Sequence, residues 1–292
     1  ELEIEAIRRV LPLLSNTTKL TLLDSIIAIA ESTLKTIQKR VDAGTTMPTD
    51  AIRAEMELEE LLLERRLADR EVVQLKKNLS VLWSSSTIDF SSISGTINQK
   101  FTIPSLETFQ KSLLNHPEIK MIELEWRLSQ KELEESRIGA IPDLTISAGF
   151  TRSMETEENT VALSASIDLP IFSRNQGEIK SKEYSADAFQ LDADNTILIK
   201  QTELQKLYNR LRTVDEKLNT IETKILPKAE SVFQTLLGYY ELGSVGLLDV
   251  IEVLSELLDY NTSIIDNYVI RTELLTDLYE LTGHKMKFIV NE

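Results

Sequence analysis

The chain contains no cysteine, which excludes disulfides, thiolate metal sites and a cysteine nucleophile. Its only histidines, His116 and His284, stand in no ligand-spaced cluster, and His116 sits in "NHPE", where a helix starts; no metal site is expected. Met47, Met56, Met121, Met154 and Met286 are scattered, so they trace no path for soft metal ions. Nine glycines and seven prolines in 292 residues, against abundant Leu, Glu, Ile and Lys, point to a helix-dominated fold. No apolar run approaches the ~20 residues of a transmembrane helix. Positive charge is in deficit: the formal net charge of −15 argues against nucleic acid as a partner and against an anionic membrane face. There is no glycine-rich phosphate loop, nucleophile motif or convergent acid–base set, so neither an enzyme nor a cofactor is expected.

What the chain does have is long helical pattern, interrupted twice in the same way. "RVDAGTTMPTDA" at 40–51 and "YYELGSVGLLDV" at 239–250 each place an aspartate six residues after a glycine. An offset of 199 residues carries Gly44 onto Gly243, Asp50 onto Asp249, and "AES" at 30–32 onto "AES" at 229–231. The same offset, with no gap, carries Thr36, Ile52, Glu57, Leu58, Leu75, Leu79 and Leu82 onto identical residues. The chain is internally duplicated. Each unit reads as long helix, glycine break, long helix. From Gln176 to Leu242 the only strong breaker is Pro227, in a run of roughly 65 residues, or about 100 Å of helix. Pro227 is expected to kink it. After the second break, one stripe runs through Leu247, Ile251, Leu254, Leu258, Ile265 and Tyr268, and another through Val250, Val253, Leu257, Tyr260 and Ile264. Two adjacent stripes mean neighbours on both sides, in a bundle or in a ring of helices; the bundle is the simpler reading of periodicity alone.

One stretch breaks the helical period. In "IPDLTISAGFTRSMETEENTVALSASIDLPIFSRNQGEI", residues 141 to 179, Leu144, Ile146, Ala148 and Phe150 alternate with Thr145, Ser147, Gly149 and Thr151. On the return, Val161, Leu163, Ala165, Ile167 and Leu169 share one face, and Ala162, Ser164, Ser166 and Asp168 the other. Strands of about ten residues with one apolar and one small-polar face have the pattern of a transmembrane β-barrel. A soluble amphipathic hairpin packed on the helices fits the alternation equally well.

The flanking motifs decide between them. "NHPEIKMIELEWRLSQKELEESRIGAIPDLTI" before the hairpin and "DLPIFSRNQGEIKSKE" after it resemble the TolC-type outer-membrane efflux family, as do "ILPKAES", "YYELGSVGLLDV" and the closing "LYELTGH". The resemblance covers essentially the whole chain. It implies a mainly α fold of very long antiparallel helices forming an α-helical tunnel, with one transmembrane-type β-hairpin, built from the duplicated unit. It divides the chain into residues 1–85, the second helical half of repeat 1; 86–104, an inter-repeat connection carrying short strands; 105–141, the first helix of repeat 2; 142–172, the barrel hairpin; and 173–292, the long helices of repeat 2. The implied function is a passive exit duct of a tripartite efflux or type I secretion system. The implied partners are two further copies in a homotrimer, a periplasmic adaptor with its inner-membrane pump, and outer-membrane lipid against the hairpin. The implied location is the outer membrane of a Gram-negative bacterium, with the helices in the periplasm. A soluble coiled-coil scaffold or an adaptor protein is the alternative.

By the same resemblance, Gly44 and Gly243 reverse the chain at the periplasmic end of the tunnel, where positive φ is needed. Asp50, Asp249 and Glu252 then line the entrance; the repeat-1 counterpart of Glu252 is Arg53. Helix capping is the competing reading of both aspartates. Trp83 and Trp126 read as packing residues. The first helix and hairpin of repeat 1 are expected upstream of Glu1, because one hairpin per chain leaves a barrel open at its edges. Without them, residues 143–170 are expected to be disordered or non-natively paired.

Overall fold

The computed structural model describes residues 2–85, 87–88, 90–98, 103–152, 159–168 and 174–283. In chain order these form α1 (Leu2–Asp42), α2 (Pro48–Ser80), a 3-10 turn (Val81–Trp83), α3 (Leu106–Leu114), α4 (Pro117–Ile138), β1 (Leu144–Arg152), β2 (Asn159–Ile167), α5 (Gln176–Thr220), a π-helical turn (Ile221–Ile225), α6 (Leu226–Glu241) and α7 (Leu247–Thr282). The chain divides into two compact units, Glu1–Phe109 with Leu204–Glu292, and Gln110–Glu203.

In the first unit the two glycine hairpins, α1–α2 and α6–α7, share one core. Leu23, Ile27 and Ile37 of α1 meet Ala54 and Leu61 of α2, Phe233 and Tyr240 of α6, and Leu247, Val250 and Leu254 of α7. α1 packs on both α2 and α7. A helix with neighbours on two sides needs two adjacent apolar stripes, which is what the sequence of α7 carries. Phe109, fully buried, stands edge-on to the rings of Tyr208 and Tyr279, with centroids 6.3 and 5.7 Å away. Trp83 stands edge-on to Phe90 at 5.8 Å and stays 46% exposed, so it packs on one side only.

Local signals set the helix ends. Pro48 opens α2, a position where the missing N–H has no intrahelical partner to lose. His116 caps α4 by accepting the Glu118 N–H at 3.3 Å, with Pro117 following. α3 and α4 are separate helices, so the single helix expected over 105–141 is broken at Asn115–His116. No strand forms among the described residues of 86–104, contrary to expectation; they run as bends and turns beside Val72 and Leu79 of α2 through Phe90 and Ile93.

The break at Pro227 takes the form of a π-helical turn. Leu226 donates its N–H to the Ile221 carbonyl, five residues back rather than four. A proline ring collides with the carbonyl four residues before it, here that of Thr223, and a widened turn relieves that collision.

In the second unit, the ion pairs Glu118–Lys200 (3.2 Å), Glu132–Lys182 (2.7 Å) and Arg137–Glu183 (3.5 Å) run between α4 and α5. The Trp126 indole nitrogen is buried there without a hydrogen-bond partner. β1 and β2 pair antiparallel in the register Leu144↔Ile167, Ile146↔Ala165, Ala148↔Leu163 and Phe150↔Val161. The expectation of disorder or non-native pairing is therefore corrected for residues 144–152 and 159–167: the alternation of both strands is in phase, and a regular ladder satisfies the backbone between them. The joining loop and Leu169 lie outside the described residues.

Candidate functional site

Two regions carry the sequence-predicted function: the glycine reversals and the hairpin. The reversals are built alike. Gly44 (φ +69°) and Gly243 (φ +76°) lie in the left-handed region. Gly44 N–H donates to Val41 O and Thr45 N–H to Arg40 O, each at 2.9 Å. Gly243 N–H donates to Tyr240 O and Ser244 N–H to Tyr239 O, again at 2.9 Å. This pair of bonds, three and five residues back, closes a helix end and needs a residue without a Cβ penalty at positive φ.

Both aspartates stand in first turns, with different partners. Asp249 accepts the Gly246 N–H at 3.1 Å, so it caps α7. Asp50 accepts the Thr46 hydroxyl at 2.7 Å, tying the reversal loop to α2. Asp249 and Glu252 are exposed, as is Arg53. One carboxylate oxygen of Asp249 makes the cap, and the side chain still faces water.

A contact between the reversals escaped the sequence. The Arg40 guanidinium lies 4.7 Å from the Tyr240 ring centroid and donates through Nη1 to the Tyr240 carbonyl. Its Nη2 stands 3.2 Å from where a Cβ on Gly243 would be, so a side chain there would press the guanidinium back by a few tenths of an ångström. Tyr240 is 2% exposed. Its hydroxyl and Arg40 Nε have no hydrogen-bond partner of standard geometry. Burial pushes the Tyr240 hydroxyl above its ordinary pKa, against smaller opposite pulls from Thr46 and Arg40. A basic residue in a last helical turn was the available signal, and it reads first as a partner for the helix dipole.

The hairpin is bare on both faces. One face carries Leu144, Ile146, Phe150, Val161, Leu163 and Ile167, from 49% to 78% exposed. The other pairs Thr145 with Ser166, Ser147 with Ser164, and Gly149 with Ala162. A soluble hairpin packed on helices would have buried the apolar face, and that alternative fails here. Among the described residues no helix is long and apolar enough to cross a membrane, which says nothing of a barrel. Among the same residues no group of three or more His, Cys, Asp or Glu is placed to hold a metal.

Residues 108–284 match the outer membrane efflux protein family. The chain belongs to that family. It is 30% identical over 226 residues to the cobalt-zinc-cadmium resistance protein CzcC of Cupriavidus metallidurans, covering 77% of this chain and 54% of that protein. The chain thus spans about half the length of the curated relative it matches. Among solved structures it superposes on CusC, described as forming a transmembrane channel, with TM-score 0.73 at 15% identity, over 97% of this chain and 68% of that one. It superposes on the outer membrane protein VceC of Vibrio cholerae with TM-score 0.65 at 15% identity, over 97% and 69%. The mainly α tunnel-type fold with one hairpin is therefore that of the efflux proteins.

Proposed function

We propose that the complete protein is the exit duct of a tripartite efflux or secretion system. Three copies close a β-barrel in the outer membrane of a Gram-negative bacterium and continue as a helical tunnel in the periplasm. Passage is passive, and the driving force comes from an inner-membrane pump joined through a periplasmic adaptor. The hairpin carries this reading. Its apolar face would cost about 1.5–3 kcal/mol for each large side chain left in water, and lipid removes that cost. Its outer strand edges need neighbours, which a closed barrel provides. Family membership favours the duct over a scaffold or adaptor.

Asp50, Asp249 and Glu252 are proposed to line the entrance at the reversals. The kinship with CzcC favours divalent metal ions as cargo, and exposed carboxylates at a pore mouth suit cations. The complete protein should fractionate with the outer membrane as a heat-modifiable trimer, and its deletion should raise sensitivity to cobalt, zinc or cadmium. A cytosolic monomer would end the duct reading; a trimer without metal sensitivity would end only the cargo reading.

A further inference from the structure

The π-helical turn marks a place where the two repeats stop being equivalent. On the second helices the 199-residue offset holds along the face that α2 buries: Ala51, Ala68, Val72 and Leu79 of α2 fall on Val250, Asn267, Arg271 and Leu278 of α7, and all eight are buried. On the first helices its identities run from the reversal up to the turn, where buried Ala30 falls on buried Ala229. Beyond the turn it fails. Leu13, fully buried, would fall on exposed Arg212, and Leu20 on exposed Asn219. An offset of 198 restores the match: Leu13, Leu20 and Leu23 then fall on Leu211, Leu218 and Ile221, all apolar, and Lys19 falls on Lys217. Leu13, Leu23, Leu211, Leu218 and Ile221 are all buried. The turn therefore holds one residue that repeat 1 lacks, and one residue is about 100° of helical phase.

Two polar contacts clamp the helix to α7 at this point. Tyr268 donates its hydroxyl to Glu222, inside the turn, at 2.6 Å. Arg271 donates through Nε to Asp215, six residues before the turn, at 2.6 Å. Arg271 is 7% exposed and Tyr268 6%. The repeat-1 counterparts of Asp215 and Arg271 are Thr17 and Val72, and the Thr17 hydroxyl is spent on the Leu13 and Leu14 carbonyls of its own helix. Apolar stripes that recur every three or four residues fit nearly as well after a one-turn slip, whereas hydrogen-bonded pairs do not. The inserted residue is what makes a slip cheap: in a π-helical turn the extra residue can be handed along the helix one bond at a time.

We propose that Ile221–Ile225 is an inserted joint in the long helix of repeat 2, pinned to α7 by Glu222–Tyr268 and Asp215–Arg271. The helix yields at the joint first, so that α6 can change its phase against α7 while α5 stays in register. The inference rests on this helix pair alone and stands whether or not the duct reading does.

Hydrogen exchange by mass spectrometry on the full chain tests it. The amides of 221–230 should exchange about tenfold faster than those of the repeat-1 segment 23–32. Tyr268→Phe should widen that ratio at least threefold and leave 23–32 unchanged. Deleting Thr223 together with Pro227→Ala removes the extra residue and should raise 221–230 to the protection of 23–32. Equal protection of the two segments in the natural chain would overturn the joint. So would a Tyr268→Phe chain that exchanges faster in both repeats alike, or in neither. If the deletion chain does not fold, the natural chain and Tyr268→Phe still decide the matter.

Discussion

The α1–α2 hairpin and the helix pair of repeat 2 descend from one pattern, yet what they bury between their helices differs in chemistry. In repeat 1 the buried contact beyond the reversal is apolar: Ala68 and Val72 of α2 are buried, and Leu13 packs with Val72 and Leu79, while the ion pairs Lys19–Glu64 and Arg65–Asp24 stay partly exposed at the rim. In repeat 2 the same α7 positions are Asn267 and Arg271, equally buried, and the helix opposite carries Asp215 and Glu222. α1 runs from Leu2 to Asp42 as one helix with Pro12 inside it, while α5 and α6 are separated by a π-helical turn. Apolar contacts give affinity between helices without fixing their register, and polar contacts fix register at a cost in desolvation. The difference teaches that duplication preserved the spacing of the second helices and let the first helices diverge in phase.

The largest effect on this contrast is expected at the half-buried Arg271–Asp215 pair. Arg271→Met should strand Asp215 beside a buried apolar face. Removing one partner of a fully buried pair costs 3–5 kcal/mol, but the Asp215 side chain is 34% exposed, so about 2 kcal/mol is expected. The double variant Asp215→Leu with Arg271→Met should return to within about 1 kcal/mol of the natural chain. Val72→Ala, at the repeat-1 counterpart, should cost about 1 kcal/mol and have no compensating partner. Denaturant unfolding of the four chains checks this. A double variant as damaged as Arg271→Met would show that the pair is not a coupled unit.

A smaller asymmetry sits at the glycines. Both adopt positive φ, so either substitution by Ala costs about 1 kcal/mol in backbone strain. A Cβ on Gly44 meets open space, whereas one on Gly243 stands 3.2 Å from Arg40 Nη2. Gly243→Ala should therefore cost more, about 2 kcal/mol in total, and Gly243→Ala in an Arg40→Ala background should lose the excess. Equal costs for the two glycines would remove Arg40 from the account of the reversal.

Much of this was written locally and could be read. Period-two alternation predicts the hairpin because a strand's faces are set by neighbours two residues apart, and the register came out with Phe150 opposite Val161. The glycines were legible because positive φ has few solutions in sequence. The Arg40–Tyr240 contact was not, because it joins residues 200 apart in the chain and no pattern within either segment requires it. The one-residue insertion hid behind its own neighbours: every identity that set the 199-residue offset lies on the reversal side of the turn. Pro227 gave the place of the break but not its form, since a kink and a widened turn both relieve the same clash.

The last contrast is one of charge. Asp249 and Glu252 of repeat 2 lie one helical turn apart on exposed positions, and their repeat-1 counterparts are Asp50 and Arg53. If the reversals frame the entrance of a trimer, each repeat-2 mouth segment carries two carboxylates, while each repeat-1 segment carries an acid and a base that offset one another. Carboxylates brought close in a narrow opening raise the local potential and hold cations. In the complete protein, Asp249→Ala with Glu252→Ala should lower cation selectivity and weaken block by divalent cations. Stability should fall by about 1 kcal/mol or less, since Asp249 gives up one cap bond and Glu252 only an exposed interaction with the helix dipole. Arg53→Glu should act in the opposite sense, raising selectivity by making repeat 1 resemble repeat 2, with no cap to lose. A purely capping role predicts another split: melting moves in the double variant, permeation moves in neither. Conductance, ion selectivity and melting measured on both variants separate the two, and selectivity unchanged in both would leave Asp249 as a cap and nothing more.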